Sequence, residues 1–307
     1  MSKFATAIKL IRNNKAAFLA ATIGKLSFIF SDKTYLKMQF RLRMGYQLDL
    51  ENPKTFNEKI QWLKLYNRNP LYTILVDKYS VKKWVEEKIG SEHLIPTLGV
   101  WNNANEIDFS ALPKQFVLKA TNGGGGDVII CRDKSNFDVK QAVARLNKGL
   151  KRSLYSELRE WQYKNITPRI IAEKYMEDES GELRDYKFFC FDGVVKALFI
   201  ASDRLKENED TKFDFFDRDF NHLPITNGHP NALIIPQKPR LYEEMIALAE
   251  KLSKGIPHVR VDLYSIGTQI YFGEMTFSHH SGLCPFVPRE WDYKFGEWLK
   301  LPTEKFV

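Results

Sequence analysis

Apolar residues recur along this chain with two different periods, and each period predicts one type of secondary structure. Helical spacing follows the capping-box sequence that starts at Thr55, and it returns after Asp77, over residues 138–150 and over residues 241–254. A glycine stands just past two of these series, which is typical of helix ends. We therefore expect four helices, and we expect Lys78 and the lysines that follow it to lie in the first turns of the second helix.

Between these helices lie short runs of β-branched and aromatic residues, separated by turn-forming residues. An edge strand is expected within residues 94–101 and another strand within residues 169–176. The remaining runs pair into hairpins, of which the clearest turns at Asp192-Gly193. The expected hairpins span residues 116–131, 185–200, 213–223 and 259–278. Strands joined by such short connections pair antiparallel.

The hairpin at residues 116–131 contains four consecutive glycines, Gly123, Gly124, Gly125 and Gly126, and Lys119 ends the strand before them. Glycines lack Cβ atoms, so their N–H groups can turn outward toward an anion such as a phosphate. The lysine precedes the glycines and a strand follows them, which excludes a Walker A loop and a dinucleotide fingerprint. The stretch is therefore either a phosphate-binding loop or a flexible hairpin tip.

The hairpin at residues 259–278 places charged side chains on one face. Arg260, Asp262 and Tyr264 alternate with apolar residues on its first strand; Phe272, Glu274, Thr276 and Ser278 do so on the second. A three-residue loop centred on Thr268 puts Asp262 opposite Glu274, with Cβ atoms roughly 4.5–5.5 Å apart. Facing carboxylates repel unless a cation lies between them or one of them is protonated, and Mg²⁺ with substrate phosphates meets that need. The alternative is an exposed face with an Arg–Asp ion pair.

The composition of the chain limits the kinds of partner and the cellular compartment that are expected. The chain has 307 residues, 44% of them hydrophobic, and a formal net charge of +8, which favours an acidic partner. Nucleic acid ranks last among such partners because no Lys/Arg run carries interleaved stacking aromatics. The three cysteines, Cys131, Cys190 and Cys284, form no CxxC pair and are expected to be buried thiols in a reducing compartment. A cytoplasmic protein is therefore expected.

The N-terminal region is basic and apolar. Residues 16–30 are mostly apolar, but Lys25 interrupts them and the stretch is too short to span a bilayer. Four basic residues precede it: Lys3, Lys9, Arg12 and Lys15. We expect residues 1–30 to form a basic amphipathic helix that either packs on the body of the protein or rests on an anionic membrane surface.

The triplet Asp217-Arg218-Asp219 fits the short acidic motif with which many glycosyltransferases hold a metal-bound nucleotide sugar. It also stands at an expected turn, beside Asn221 and Pro224. Aspartate and asparagine side chains commonly accept hydrogen bonds from turn backbones, so turn chemistry is the favoured interpretation.

Taken in order, these pieces resemble the ATP-grasp superfamily and, more closely, the TupA-like ATP-grasp family. That family is linked to teichuronopeptide and other surface-polysaccharide synthesis and is often labelled glycosyltransferase. The resemblance runs from about residue 30 to the end of the sequence. Its segments are Phe-Val-Leu-Lys-Ala-Thr-Asn-Gly-Gly-Gly-Gly from residue 116, Asn-Pro-Lys-Thr-Phe-Asn-Glu-Lys from 52, Asp-Lys-Tyr from 77, Glu-Lys-Tyr-Met from 173, Asp-Tyr-Lys-Phe-Phe from 185, Arg-Val-Asp-Leu-Tyr from 260 and Phe-Gly-Glu-Met-Thr-Phe from 272.

The resemblance implies an α+β ATP-grasp fold, in which two α+β lobes grip a nucleotide. On this basis residues 1–50 would be a helical N-terminal extension. Residues 51–111 would form the N-terminal part of the core and residues 112–175 the glycine-loop lobe that covers ATP. Residues 176–307 would form the C-terminal lobe with the metal-binding hairpin.

The resemblance also implies roles for individual residues. Lys78 and Lys119 would contact the ATP phosphates, and the loop Gly123 to Gly126 would close over them. The remaining nucleotide contacts would come from Glu173, Lys174, Tyr175 and Met176 at the adenine and from Asp185 at the ribose. Mg²⁺ would be bound by Asp262, Glu274 and Thr276, the last standing where the superfamily usually has Asn. The catalytic residues would be Arg260 and Lys187, and the acceptor loop would comprise His279, His280, Ser281 and Gly282.

The implied reaction is the ATP- and Mg²⁺-dependent joining of a carboxylate to an amine through an acyl phosphate. By resemblance the substrates would be an amino acid or other amine and a uronic-acid-bearing glycan, free or lipid-linked. Two alternatives stay open. One is a glycosyltransferase that uses Asp217 and Asp219, and the other is a non-catalytic relative that binds nucleotide or polysaccharide.

Overall fold

The computed structural model describes residues 15–123, 128–179, 181, 183–203 and 210–306. Gly124, Gly125 and Gly126 of the predicted phosphate-binding loop lie outside the described residues. The described chain contains helices and two antiparallel sheets.

Sheet A has four strands: β1 (Thr97–Trp101), β2 (Phe116–Ala120), β3 (Val128–Cys131) and β4 (Ile170–Lys174). Their order is β1-β4-β2-β3, and each neighbouring pair is antiparallel. The predicted hairpin on either side of the glycine stretch is confirmed as β2 and β3. The predicted edge strand is confirmed as β1.

Sheet B has six strands: β5 (Asp185–Phe191), β6 (Val194–Ser202), β7 (Lys212–Asp217), β8 (His222–Leu223), β9 (Val259–Ile266) and β10 (Gln269–Thr276). Their order is β10-β9-β5-β6-β7-β8, again antiparallel throughout. The three hairpins predicted for this part of the chain are confirmed.

The described helices surround these sheets. They are α1 (Lys15–Lys25), α2 (Asp32–Met44), α3 (Phe56–Tyr66), α4 (Leu71–Val76), α5 (Ser80–Ile89), α6 (Val139–Leu150), α7 (Leu154–Leu158), α8 (Tyr242–Ser253) and α9 (Glu290–Trp298). The predicted capping box is confirmed at α3, where the Thr55 side chain accepts from the Glu58 N–H and the Glu58 side chain accepts from the Thr55 N–H.

The predicted start of α5 is confirmed in its capping contacts. The Asp77 carboxylate accepts hydrogen bonds from the N–H groups of Tyr79 (2.9 Å) and Ser80 (2.7 Å), and the Asp77 carbonyl accepts from the Val81 N–H at 3.0 Å. Regular helix runs from Ser80, so Lys78 lies in the capped turn before it, and the Lys78 N–H donates to the Thr121 carbonyl at 3.3 Å. This bond holds Lys78 beside the end of β2.

The predicted opposition of Asp262 and Glu274 is confirmed, although the predicted three-residue loop is wrong. Ile266 pairs with Gln269 across a two-residue turn, and a β-bulge between Phe272 and Glu274 shifts the register by one residue. The bulge also moves Phe272 off the face of Glu274, where alternation had placed it. Phe272 instead joins the apolar cluster that contains Met275.

Sheet B separates two apolar layers. On β5, Phe188 and Cys190 pack with α5 and α8 on one face, whereas Phe189 and Phe191 pack with α3 and α9 on the other. The three cysteines are all free thiols, but Cys284 is only half-buried, in contrast to the prediction of burial. The structure thus encloses both faces of the central strand β5, on which Lys187 stands.

Phe56, at the start of α3, is fully buried among five aromatic rings with centroids 5.0–6.3 Å away: Phe189, Phe191, His258, Phe286 and Phe295. It joins α3 to both β5 and α9. Because these contacts surround the ring on all sides, little relaxation could fill the space left by its removal.

We expect Phe56→Ala to lower the free energy of unfolding by about 3–5 kcal/mol, since it removes transfer energy and leaves a cavity. Urea denaturation monitored by circular dichroism measures the change. Val139→Ala, at an exposed position of α6, is the matched control and should change stability by less than about 0.5 kcal/mol. Equal effects of the two substitutions would contradict the packing argument.

Candidate active site

A cleft between sheet A and sheet B encloses about 1280 Å³ of empty space, open solvent included. Lys119 reaches it from β2, and Glu274 reaches it from β10, so two residues far apart in sequence line one cleft. The predicted nucleotide contacts Lys78, Glu173, Lys174, Tyr175, Met176 and Asp185 line it as well. A concave cleft that combines apolar walls with a few convergent charged groups is the usual form of a small-molecule or cofactor site.

One part of the cleft is apolar. Val117 and Ile130 contribute from sheet A, Phe272 contributes from sheet B, and Met176 and Leu183 lie on the segment that joins the sheets. Apolar walls on both sides of a gap can hold a flat aromatic group such as a purine base. The N–H of Lys174 donates to the Pro96 carbonyl at 3.0 Å, so this N–H is not available to a base.

The other part of the cleft carries lysines. Glu173 pairs with Lys119 at 2.6 Å and with Lys82 at 2.5 Å. Burial would raise the pKa of the Glu173 carboxyl, but the two lysine charges outweigh burial and hold that pKa below its usual range. Lys78 contacts the Gly123 carbonyl at 2.7 Å and Glu274 at 3.4 Å. Lys78 thus lies beside the described end of the glycine stretch, and all three lysines line the cleft.

Beneath the cleft runs a chain of alternating charges on the strands of sheet B. Lys187 pairs with Asp185 at 2.6 Å and also with Asp262. Arg260 binds both carboxylate oxygens of Asp262 at 2.7 Å in a bidentate pair. Asp262 has no exposed side-chain surface. These groups hold one another in place below the cleft wall, and Asp185 alone among them lines the cleft.

Glu274 stands where the buried charges meet the cleft. Its side chain is 35% exposed, and Arg260 approaches it at 3.5 Å. Arg260 also donates to the Thr276 hydroxyl at 3.0 Å, and that hydroxyl lies 3.5 Å from Glu274. Thr276 therefore connects Arg260 to Glu274.

The predicted magnesium ligands differ in how well their side chains could reach a metal ion in the cleft. Glu274 presents a partly exposed carboxylate at the cleft, and one or two carboxylates plus substrate phosphates suffice for Mg²⁺. Both oxygens of Asp262 are already bound by Arg260, and Lys187 adds a further contact. No group of three or more His, Cys, Asp or Glu side chains among the described residues is arranged to hold a metal. The metal site stays a prediction, in which Glu274 is the ligand that fits best.

His279 fixes the other side of Arg260. Arg260 donates to Nδ1 of His279 at 2.8 Å, and Nε2 of His279 lies 2.8 Å from Oδ1 of Asn227. The Asn227 amide nitrogen donates to the carbonyls of Cys284 and Pro285, so its oxygen faces the imidazole. Since a guanidinium can only donate, His279 must carry its proton on Nε2.

The acceptor loop predicted at residues 279–282 is held in an unusual conformation. His280, Ser281 and Gly282 have φ values of 45°, 58° and 63°, and a Cβ on Gly282 would lie 2.5 Å from the Gln61 side chain. Lys64 contacts both the carbonyl and the hydroxyl of Ser281 at 2.6 Å. Burial lowers the pKa of Lys64 to about 7. The loop is therefore clamped to α3; its role with an acceptor stays a prediction.

The Asp217 triplet does not line the cleft. The Asp217 carboxylate accepts hydrogen bonds from the N–H groups of Asp219 (2.9 Å) and Asn221 (2.8 Å), and Arg218 pairs with Glu250. Turn chemistry, the favoured interpretation of this triplet, accounts for these contacts.

Sequence reasoning missed several of these residues. Lys82 enters the sequence-based prediction only among the lysines that follow Lys78. A spacing of four residues between Lys78 and Lys82 is nevertheless a signal that both side chains can face one site. Asn227 and Lys64 carried no such signal, because their partners come from distant parts of the chain.

The imidazole of His279 should stay neutral in mildly acidic solution. Burial, followed by the neighbouring His280 and the Arg260 charge, lowers its pKa well below its usual range. About one pH unit below the usual imidazole pKa of about 6.5, ¹H–¹⁵N spectra should show the Nε2-protonated neutral tautomer. The spectrum of His279→Gln assigns the signal. A protonated ring, or a proton on Nδ1, would contradict the contact with Arg260.

A family model described as TupA-like ATPgrasp matches residues 58–300. Among solved structures, D-alanine–D-alanine ligase from Helicobacter pylori is 14% identical over 81% of this chain and 70% of its own, with a TM-score of 0.46. The corresponding ligase from Bacillus anthracis is 16% identical over 66% of this chain and 57% of its own, with a TM-score of 0.38.

The ATP-grasp ligase PsnB, complexed with minimal precursor, Mg and ADP, is 12% identical over 85% of this chain and 66% of its own, with a TM-score of 0.39. The chain thus spans between 57% and 70% of the length of these three solved proteins. A search of curated proteins gives no significant match. The family model covers most of the sequence, so the protein has the ATP-grasp fold and belongs to the TupA-like ATP-grasp family.

Proposed function

We propose that this protein is an ATP- and Mg²⁺-dependent ligase that joins a carboxylate to an amine. The observation that carries the proposal is the convergence of Lys78, Lys82 and Lys119 with Glu274 in one cleft of an ATP-grasp fold. Apolar side chains that can contact a base line the same cleft. The cleft thus offers both the apolar surface and the positive charge that a nucleoside triphosphate needs.

The lysine cluster is suited to the triphosphate. Lys82 and Lys119 pair with Glu173, Lys78 pairs with Glu274, and the three lysine side chains are mostly buried. Phosphate oxygens can replace the Glu173 oxygens around Lys119 without leaving a buried charge unpaired. By the family resemblance, the loop from Gly123 to Gly126 would cover the same phosphates.

The cleft would accept magnesium together with the nucleotide, at Glu274 and the phosphate oxygens. Bound there, Mg²⁺ would offset negative charge on the transferring phosphoryl group. The chain's own contribution is to hold Glu274 at the cleft wall through Arg260, Thr276 and Lys78. Asp262 would act through Arg260 and Lys187, which it holds in place.

In the proposed reaction a substrate carboxylate oxygen attacks the γ-phosphorus, the bond to the β-phosphate oxygen breaks, and ADP leaves. The amine then attacks the acyl carbon and inorganic phosphate departs, so that an amide forms and the amine loses a proton. Arg260 and the lysines offset charge on the reacting groups. Closure of the cleft would exclude water from the acyl phosphate.

We propose an amino acid or other amine and a uronic-acid-bearing glycan, free or lipid-linked, as the substrates. Two features support this: the surface-polysaccharide role associated with the family that the sequence resembles, and the net charge of +8, which suits a polyanionic acceptor. The use of ATP and three free thiols support a place in the cytoplasm.

Two alternatives have weaker support. A glycosyltransferase based on Asp217 and Asp219 would leave the lysine cleft without a role, and the Asp217 oxygens already accept turn hydrogen bonds. A non-catalytic relative would keep the cleft but not turn over ATP. The partial burial of the metal site, with Asp262 held by Arg260, is the observation that favours this second alternative.

Substitutions in the cleft and in the turn should separate these functions. We expect Lys119→Ala and Glu274→Gln each to lower ATP turnover on the order of 10²-fold or more, because each removes charge that acts on the reacting phosphates. Asp217→Asn should stay within about twofold of the parent protein, since asparagine also accepts turn hydrogen bonds. Release of ADP measures turnover, and thermal unfolding checks that each variant is folded. The reverse pattern would favour the glycosyltransferase.

The products should identify the reaction class. Incubation of the protein with ATP, Mg²⁺, a uronate-bearing glycan and mixed amino acids should release ADP and phosphate in equal amounts, and only when both co-substrates are present. Mass spectrometry of the glycan should show an amide-linked residue. Release of UDP from UDP-sugars would refute the ligase. ATP binding without turnover, over a panel of acidic glycans and amines, would favour the non-catalytic relative.

A further inference from the structure

We propose that α1 and the turn after it form a docking surface for an anionic lipid bilayer. The surface, here called the N-terminal patch, comprises Leu19, Leu26, Phe28 and Ile29 together with Lys15 and Lys25. Phe28 is 80% exposed and Ile29 is 62% exposed, and the two leucines are also exposed. Exposed apolar side chains that stand beside lysines are the combination expected of a surface that an anionic, partly apolar partner covers.

The backbone beneath the N-terminal patch is fixed. Arg159 donates to the Ser27 carbonyl at 2.5 Å and to the Phe30 carbonyl at 3.4 Å, on either side of the exposed pair. Gln39 donates to the Ala20 carbonyl at 2.8 Å, and the Ala20 side chain is buried. The segment is therefore already packed on the protein through its other side, and its outer side remains for a partner.

Charge indicates what that partner is. Residues 1–31 contain five Lys and Arg and no Asp or Glu. The first acidic residue, Asp32, is bound by Arg68 at 2.7 Å and Arg159 at 2.8 Å, so it does not offset Lys15 and Lys25 at the two ends of α1. A second copy of the chain would bring like charges together, whereas anionic lipid headgroups would complement them.

The order of side chains in the segment is suited to the surface of a membrane. Lys25 ends α1, and the exposed residues Leu26, Phe28 and Ile29 follow it directly. No helix of the described chain is long and apolar enough to cross a membrane. Exposed Phe and Ile beside lysines are the side chains expected to enter the headgroup boundary.

The N-terminal patch is also linked to the candidate active site. Arg159 holds the patch, and the carbonyl of the preceding residue, Leu158, accepts from Lys64, which also contacts Ser281 of the acceptor loop. Docking would thus bring the acceptor loop close to the lipid surface, where a lipid-linked acceptor would be found. This step alone rests on the proposed function; the docking surface does not.

Co-sedimentation of the full chain with phosphatidylcholine vesicles, with and without phosphatidylglycerol, tests the proposal. The protein should bind the anionic vesicles, and added salt should weaken this binding. Phe28→Ser/Ile29→Ser should weaken it roughly tenfold or more through lost apolar burial. Lys25→Glu should also weaken it roughly tenfold or more, because it reverses a charge at the surface.

Matched controls are available elsewhere on the chain. Leu233→Ser/Ile234→Ser replaces even more exposed apolar residues, at 103% and 86% exposure, and Lys140→Glu reverses an exposed charge on α6. Both controls should bind like the parent protein. An equal loss in the controls, equal binding to neutral vesicles, or no loss in the patch variants would overturn the proposal. So would concentration-dependent dimerisation, by light scattering, that the patch variants abolish.

The vesicle test is independent of catalysis. Lys119→Ala should bind vesicles like the parent protein even when ATP turnover is lost. Failure of the ligase proposal would therefore leave the vesicle result standing, and failure of docking would leave the turnover result standing.

Discussion

The bidentate ion pair of Arg260 and Asp262 is the interaction on which the candidate site depends. Both side chains are buried on β9, so loss of either partner would leave an uncompensated charge, at a cost of about 3–5 kcal/mol. Arg260 extends the pair to His279, Thr276 and Glu274, and Asp262 extends it to Lys187. Residues from several elements are thus fixed by one guanidinium and one carboxylate.

The charges of the site fall into two groups with different freedom to change partners. The contacts among Arg260, Asp262 and Lys187 are enclosed by protein, because none of these three side chains is more than 9% exposed. Glu173, Lys82 and Lys119 instead stand on the wall of an open cleft, where an incoming anion can take over an ammonium group from the carboxylate. The enclosed charges keep the geometry of the site, whereas the charges on the cleft wall can change partners. Together they suit a site that must bind and release a highly charged nucleotide.

Local patterns predicted the strands of both sheets and the helices α3, α5, α6 and α8, because the information lies in neighbouring residues, whereas α4, α7 and α9 were not predicted. The glycine hairpin, the Asp192-Gly193 turn and the capping box at Thr55 each have their signal within a few positions. Partners across the fold could not be predicted in this way. The pairing of Lys82 with Glu173 and of His279 with Asn227 arises only when separate segments meet. The start of α5 has a local signal as well, because Asp77 accepts from the N–H groups two and three residues later, as an N-cap aspartate does.

Asp262 and Glu274 lie opposite each other as predicted, but only because a shorter turn and a β-bulge cancel each other's effect on the register. The turn is one residue shorter than predicted, which by itself would put Glu274 on the wrong face, since strand side chains alternate with a period of two. The bulge at Gly273 restores the register. A Cβ at Gly273 would lie 3.0 Å from the Asp262 carbonyl and 3.1 Å from the Tyr264 ring, so a larger residue would be crowded there. The placement of the site's exposed acid therefore depends on an uncharged residue that contributes no side chain to the chemistry.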